Sequence, residues 1–296
     1  MIRTAPFILL AASTSLVAGC VSTGSGGGGG TPSPAVFATS AGTAIQALDN
    51  GETLMAYDSQ MSSSLEHDYD ESETRAIAPV QFSITANGQG AYDVVIDGQS
   101  YSFTAAELND FGMKNLGGTY NVNSWSGDFE DVVDLANGSH HQVWSYWWDP
   151  AGQAISGFAV VGTETMPAAL TGKAEATYVG SAGASLSDTG AFNTTTDIFG
   201  ILTMTADFDN NEISGSVTDL EVLGTGDING TVTLNSGTIS GTGFGGTVSA
   251  ATDLGNLGGS YNGKFFGANG QELGGVLALT GDDVVGTGFI SATQQP

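Results

Sequence analysis

From Ala174 onward the sequence is punctuated by Gly, Asn or Asp roughly every 8–12 residues, and the stretches between alternate in polarity, the signature of a sandwich or barrel. Leu202, Met204, Ala206 and Phe208 fall on one side of such a stretch; Thr203, Thr205 and Asp207 fall on the other. Ile228, Val232 and Leu234 repeat the pattern against Asn229, Thr231 and Thr233. Strands are expected at Ala174–Val179, Leu202–Phe208, Glu212–Thr218, Asp227–Leu234, Thr238–Ser240, Phe244–Ser249, Tyr261–Phe266, Glu272–Leu279 and Val285–Ile290. One apolar face and one hydroxyl-rich face imply a closed antiparallel sheet with a packed interior and a wet exterior. A membrane-spanning barrel would invert that arrangement and carry aromatic girdles. The 45 glycines among 296 residues suit tight turns and count against a helical bundle.

The preceding block is also strand-rich. Val80–Ile84 and Tyr92–Ile96 flank Asn87-Gly88, and Asp97-Gly98 leads into Ser100–Phe103, a strong hairpin signal. Val143–Trp148 and Ile155–Val161 flank Asp149-Pro150-Ala151-Gly152, a second hairpin. Phe37 to Gln60 reads as weakly helical or irregular, and the acidic run Leu65–Arg75 as a surface loop.

Charge removes several function classes. Five Lys and Arg stand against 31 Asp and Glu, a formal net charge of −26. That balance lacks the basic footprint of nucleic-acid binding and is repelled by anionic lipid, so membrane attachment must be covalent or by insertion. Residues 1–19 supply the means, with Arg3 followed by an apolar stretch and small residues, as in a secretory signal peptide. Leu16-Val17-Ala18-Gly19-Cys20 resembles the bacterial lipobox, which implies cleavage before a lipid-modified (palmitate-bearing) Cys20. Cys20 is the sole cysteine, so no intrachain disulfide forms. Cleavage also removes Arg3, moving the charge one unit further negative. The stretch from Val21 to Pro34 is rich in Gly and Ser and uncharged; such a disordered tether reaches about 20 Å.

Three stretches of the C-terminal block carry a family resemblance. Gly172–Gly180 (GKAEATYVG) resembles an opening barrel strand with its Tyr178-x-Gly180. Met204–Phe208 leading to Ile213-Ser214-Gly215 is similar to a following hairpin. The fullest likeness is Gly263–Gly275 (GKFFGANGQELGG), containing Phe265, Phe266, Gly267, Glu272, Leu273, Gly274 and Gly275, with Val285–Phe289 as a closing strand. Together they resemble the β-barrel domain of the transferrin-binding protein B superfamily of Gram-negative surface lipoproteins. Phe266 stands where that family has Tyr, and Ala268 where it has Pro.

The resemblance implies an all-β, mainly antiparallel chain. Residues 1–19 are the signal peptide and 20–36 the lipid anchor and linker; 37–164 form a β-rich handle-like domain, and 165–296 an eight-stranded soluble barrel. It further implies a monomeric outer-membrane lipoprotein, exposed at the cell surface, that captures a macromolecule or iron source, a transferrin-like or haem protein. Alternative readings are an adhesion protein and a structural lipoprotein facing the periplasm, neither with a role in iron acquisition. The Gly-x-Phe-x-Gly hairpin is expected to be structural, its aromatics plugging the barrel and its glycines allowing close strand approach.

Chemistry finds little purchase. Adjacent His140 and His141 would point to opposite faces of a strand, and a solvated loop after Asn137-Gly138 is the reading adopted over zinc. Asp207–Glu212 resembles a calcium loop but lacks the sixth-position Gly and the distal Glu, and reads as a hairpin turn. Gly26–Gly30 has no following Lys-Ser/Thr for a phosphate loop, and no Gly-x-Ser-x-Gly elbow or suitably placed His activates a serine. No enzyme, cofactor or metal is expected. All four tryptophans, Trp125, Trp144, Trp147 and Trp148, lie in the handle-like block with Tyr146. Alternation separates Trp147 from Trp144, Tyr146 and Trp148; the set is core in one reading and a ligand-binding surface in the other.

Overall fold

The computed structural model describes residues 59–68, 73–86, 91–96, 99–104, 120–121, 140–148, 153–190, 195–222 and 225–296. The signal peptide, Cys20, the tether and Trp125 lie outside these residues. Strands dominate, built as two antiparallel sheets.

The first sheet comprises β1 (Ser59–Asp68), β2 (Glu73–Ala86), β3 (Ala91–Ile96), β4 (Gln99–Thr104), β5 (Tyr120–Asn121), β6 (His141–Trp148) and β7 (Gln153–Gly162), in the order β4-β3-β2-β1-β7-β6-β5. The turn signals lie between paired strands. Ile96 pairs with Gln99 across Asp97-Gly98, Ala86 with Tyr92 across the Asn87-Gly88 turn, and Trp148 with Ile155 across the Asp-Pro turn. Both flanks of the acidic run are strand, not loop, and residues 69–72 between them lie outside the described residues. Leu65 to Asp68 pairs with Glu73 to Ala76 as the end of a β1–β2 hairpin, and Leu65 is completely buried. Its charges masked the strand because alternation there is between polar residues, which sequence periodicity does not register.

A short helical turn, α1 (Pro167–Leu170), opens with Pro at its first position and leads into the second sheet. That sheet holds β8 (Ala176–Asp188), β9 (Thr195–Asp207), β10 (Glu212–Val222), β12 (Gly230–Ser240), β13 (Gly243–Thr252), β14 (Gly255–Phe266), β15 (Glu272–Thr280) and β16 (Val284–Gln294). A two-residue strand, β11 (Gly226–Asp227), hangs on β10. Each long strand pairs with its sequence neighbour, and β8 pairs with β16, closing an eight-stranded antiparallel barrel. The stretches Asp227–Leu234 and Thr238–Ser240 belong largely to one strand, β12, whose register shifts between Leu234 and Thr238. The opening strand runs nine residues beyond the expected Val179 because Gly180-Ser181-Ala182-Gly183-Ala184 carries no large apolar side chain to mark it. Gly183 is required there: a Cβ would lie 2.7 Å from the rings of both Phe199 and Phe289.

Eight strands enclose just enough space for side chains to fill. Leu202, Met204, Tyr178, Tyr261, Phe265 and Leu273 fill it, and Thr203, Thr231 and Thr233 face solvent, as the alternation requires. A gap of about 20 Å³ lined by Ala182, Ile198, Val217 and Leu277 is the size of one water and entirely apolar, so this part of the interior is a dry packed core.

Tyr261 holds two irregular places together. Its hydroxyl lies 3.1 Å from the carbonyl of Ile213 and 2.8 Å from that of Asn235, each beside a register shift, at 213–215 and 234–238. Burial pushes its ionisation up to about 12. Tyr261→Phe keeps the ring but removes the one hydroxyl proton that the two carbonyls share, and is expected to cost about 1–3 kcal/mol in urea unfolding.

The wet exterior holds for only part of the barrel. In β15 every residue from Glu272 to Leu277 is buried, and in β16 every residue from Gly286 to Ala292. Those strands lie under the first sheet. Val143, Phe158 and Val160 from the sheet form an apolar cluster with Phe199, Phe266, Val276 and Phe289 of the barrel, and Met61 packs on it. A strand with both faces covered reads as a continuous apolar or small-residue run, which is what Leu273–Leu279 is.

Candidate functional site

Two places carry the chemistry-bearing residues: the seam between sheet and barrel, and the outer end of the first sheet.

The seam is built from β6, β14, β15 and β16. Alternation along β14 turns Phe265 into the barrel, where its ring meets Tyr178, Phe208 and Phe244 at 5.8, 5.1 and 5.2 Å, and turns Phe266 out to the sheet. Lys173 closes that end of the barrel: its ammonium sits 5.6 Å above Phe208 and donates to the Asn269 carbonyl and the Gln294 side chain. Gly267, at φ +81°, turns the chain. Its N–H donates to the Thr163 carbonyl, and its own carbonyl accepts from the Thr165 hydroxyl at 2.7 Å. Along β15, Leu273 enters the barrel core, and Gly275 abuts the backbone of Asn262 and Gly263. Glu272 and Gly274 face the sheet. A Cβ on Gly274 would lie 2.7 Å from the His141 ring, so the glycine makes room for that imidazole. The hairpin is structural as expected, but only half of it plugs the barrel; the other half seats the sheet.

His141 is not in a solvated loop. It is completely buried on β6, stacked on Phe266 with ring centroids 5.0 Å apart. Its Nδ1 lies 2.7 Å from Glu272 Oε2 and its Nε2 2.8 Å from Ser291 Oγ. A carboxylate only accepts, so Nδ1–H donates to Glu272, and in the neutral ring Nε2 accepts from Ser291. The backbone N–H of His140 donates to the same Oε2 at 2.9 Å, and the His140 ring meets Gln271 at 3.0 Å. Burial by itself would raise the Glu272 carboxyl; the hydrogen bonds from the His141 ring and His140 N–H outweigh it and hold the carboxyl below its ordinary value. Beside this cluster Lys264 pairs with Glu164 at 2.6 Å, and Glu164 also accepts from Thr242. Further along, the Thr287 hydroxyl donates to the Ser63 carbonyl.

A serine, a histidine and a carboxylate in this order have the spacing of a hydrolytic triad, which corrects the expectation that no histidine is placed against a serine. Ser291 is completely buried between packed sheets, however, and His141 comes from one sheet while Ser291 and Glu272 come from the other. A substrate could reach Ser291 only by separating the sheets, which would dismantle the triad. The cluster therefore acts as a joint. Local sequence could not reveal it, since His141 lies 131 and 150 residues from its partners. The readable signal was Glu272 itself, a lone carboxylate heading an otherwise apolar strand.

At the far end of the first sheet, Asp68 pairs with both Glu73 and Gln153, and Trp148 pairs with Ile155. The ends of the paired strands β1–β2 and β6–β7 thus stand side by side. Trp147 and Trp148 sit at the end of β6, with Trp144 and Tyr146 further in, opposite Ala159 and Gly157 of β7. The side chains of these four aromatic residues lie outside what the structure describes. The Asp207–Glu212 stretch is a hairpin turn in which Asp207 accepts from the N–H groups of Asp209 and Asn210. Among the described residues, no three His, Cys, Asp or Glu side chains group as a metal site.

A closed eight-stranded barrel with a second antiparallel sheet seated across two of its strands defines a two-part β protein whose barrel is a scaffold. Residues 168–294, the barrel, match the family described as the C-lobe and N-lobe beta barrels of Tf-binding protein B. The family is named for a binding protein, not an enzyme. Among solved structures, the chain is similar to a transferrin-binding protein B of serogroup B Neisseria meningitidis, at 16% identity over 80% of this chain and 44% of that one, with a TM-score of 0.44. A transferrin-binding protein B of Haemophilus parasuis gives 17% identity over 80% and 45%, with a TM-score of 0.47. The N-lobe domain of the lactoferrin-binding protein B of Moraxella bovis gives 13% over 59% and 83%, at 0.36. The chain spans less than half the length of the first two. No curated protein matches it.

Proposed function

We propose that this chain is a lipid-anchored binding protein of the outer-membrane surface, held by a lipid on Cys20 and a Gly/Ser tether, with a handle-like domain over 37–164 and the barrel over 165–296. Its partner is a protein, with an iron source of the transferrin or haem-protein type as the specific reading. The observation that carries this is the match of residues 168–294 to the barrels of a transferrin-binding protein.

The arrangement supports it in two further ways. The barrel's packed interior and the buried seam leave the far end of the first sheet, away from His141, as the place for a partner. That end brings Glu66, Asp68 and Glu73 of the first two strands beside the strand that ends in Trp147 and Trp148, a composition suited to a basic protein surface that offers cations to both carboxylates and aromatic rings.

The test is binding of residues 37–296 to immobilised iron-loaded transferrin and to haemoglobin, beside Trp147→Ala and Trp148→Ala. Binding by the parent, weakened at least about tenfold in the variants while their thermal unfolding is unchanged, is the expected result. Equal affinity of both folded variants excludes the aromatic site, and failure of the parent to bind either protein removes the iron-source reading. Rising surface abundance under iron limitation is the corresponding result in cells.

A further inference from the structure

The seam holds one charged anion among apolar side chains. Glu272 is 5% exposed, and both donors to its Oε2 described above come from the other sheet: His141 Nδ1–H and His140 N–H. In the same seam, Phe266, Val276 and Phe289 on the barrel pack with Val143, Phe158 and Val160 on the sheet, contacts that need no charge. A buried ion pair seldom holds two surfaces better than apolar residues of the same volume. What a carboxylate adds is dependence on its proton.

We propose that Glu272, His141 and Ser291 form an acid-operated joint: proton uptake by the Glu272 carboxyl disengages the first sheet from the barrel, reversibly, while the barrel stays closed.

The chemistry of the three groups concentrates the response on Glu272. When His141 is neutral, Ser291 donates to Nε2; when the ring carries a second proton, Nε2–H donates and Ser291 accepts. The hydroxyl rotates and every partner is kept, so a change in the charge of His141 leaves the joint connected. Protonation of Glu272 is different. The neutral carboxyl is a weaker acceptor for two N–H donors, and a cationic His141 would then be buried without an anion. The carboxyl is held below its ordinary value in the closed form, so the closed form gains fully from it above the usual carboxylate range, about pH 4.3, and loses that gain as pH falls through the lowered value. The joint is shut at neutral pH and opens in acid.

Other ionisable groups are few. Strands β7 and β16 carry none, and β15 carries Glu272 alone. His140 meets Gln271 at the margin of the seam, and on β14 Lys264 pairs with Glu164. Glu66, His67 and Asp68 of β1, with Glu73 and Arg75 of β2, sit in register at the opposite end of β7 from His141, whose partner there is Gly162. The barrel does not need the sheet to remain closed, because its ladder is continuous from β8 around to β16 and its own core is inside.

The test is hydrogen exchange on the full chain between pH 7 and pH 3, corrected for the intrinsic rate, together with binding of an apolar-surface dye. Amides of β6 and β7 are expected to lose protection at least tenfold in one acid step, with dye binding, while those of β12 to β14 keep theirs, and return to pH 7 restores both. Glu272→Gln, a neutral isostere, brings the acid pattern to pH 7 and removes the step. Sheet and barrel losing protection together, or a step of unchanged midpoint in Glu272→Gln, overturns the proposal. Carboxyl carbon NMR of the parent gives a check independent of the variant's folding: the Glu272 titration must share the midpoint of the exchange step, and a different midpoint also overturns it.

Discussion

His141→Ala is expected to destabilise the first sheet's attachment by about 3–5 kcal/mol at neutral pH, among the largest losses any single side chain of this protein can cause. Three losses coincide. The Glu272 carboxylate keeps only the His140 N–H as a donor, Ser291 loses its ring partner, and the stacking on Phe266 gives way to a void. Chemical denaturation followed by a probe in β6 or β7 reads the effect. Most of it reflects a stranded buried charge and not the worth of the pair, so replacing both partners, His141→Leu with Glu272→Leu, should recover the greater part. If the double replacement is as damaging as the two single ones added together, the pair does not act as a unit.

Phe265→Ala is expected to cost a similar amount, about 3–5 kcal/mol, but to charge it to the barrel itself. The ring is completely buried and touches three other rings, from β8, from β13 and from Phe208 at the end of β9, so its removal leaves a cavity walled by rigid strands that cannot close over it. Urea unfolding monitored on β12 to β14 should show a lower midpoint. Phe266→Ala, one residue further on, is the control: its ring lies on the other face, so its loss should loosen the sheet and leave the barrel amides protected.

That contrast shows what the amino-acid order discloses. Alternation along Leu202–Phe208 and Val232–Leu234 correctly named the inward face, because one side of those strands is wet. It failed where both sides are dry. In Leu273–Leu277, past the single carboxylate of Glu272, no polar position marks the outer face, so the presence of a second layer had to be seen in three dimensions. The Gly180–Ala184 run was missed for a related reason: small residues there make space for Phe199 and Phe289, and strand propensity does not record space given to a neighbour. The β1–β2 hairpin tip was hidden by its charges. The aromatic strand was legible as a strand and a hairpin, but whether its rings face core or partner depends on side-chain placement that pairing does not supply. The seam cluster was illegible because buried ionic partners 131 and 150 residues apart leave no local pattern.

The sheet made first is covered by strands made later. A ribosome delivers β1, β6 and β7 well before β15 and β16, and the barrel itself closes by joining β8 to β16, with Tyr178 opposite Gln294. Until β15 and β16 emerge, neither half can hide its apolar surface, and early folding by itself is denied to the first sheet. A chain cut short after Gln271 thus forfeits both halves at once, which makes synthesis as far as Gln294 a condition for folding either of them.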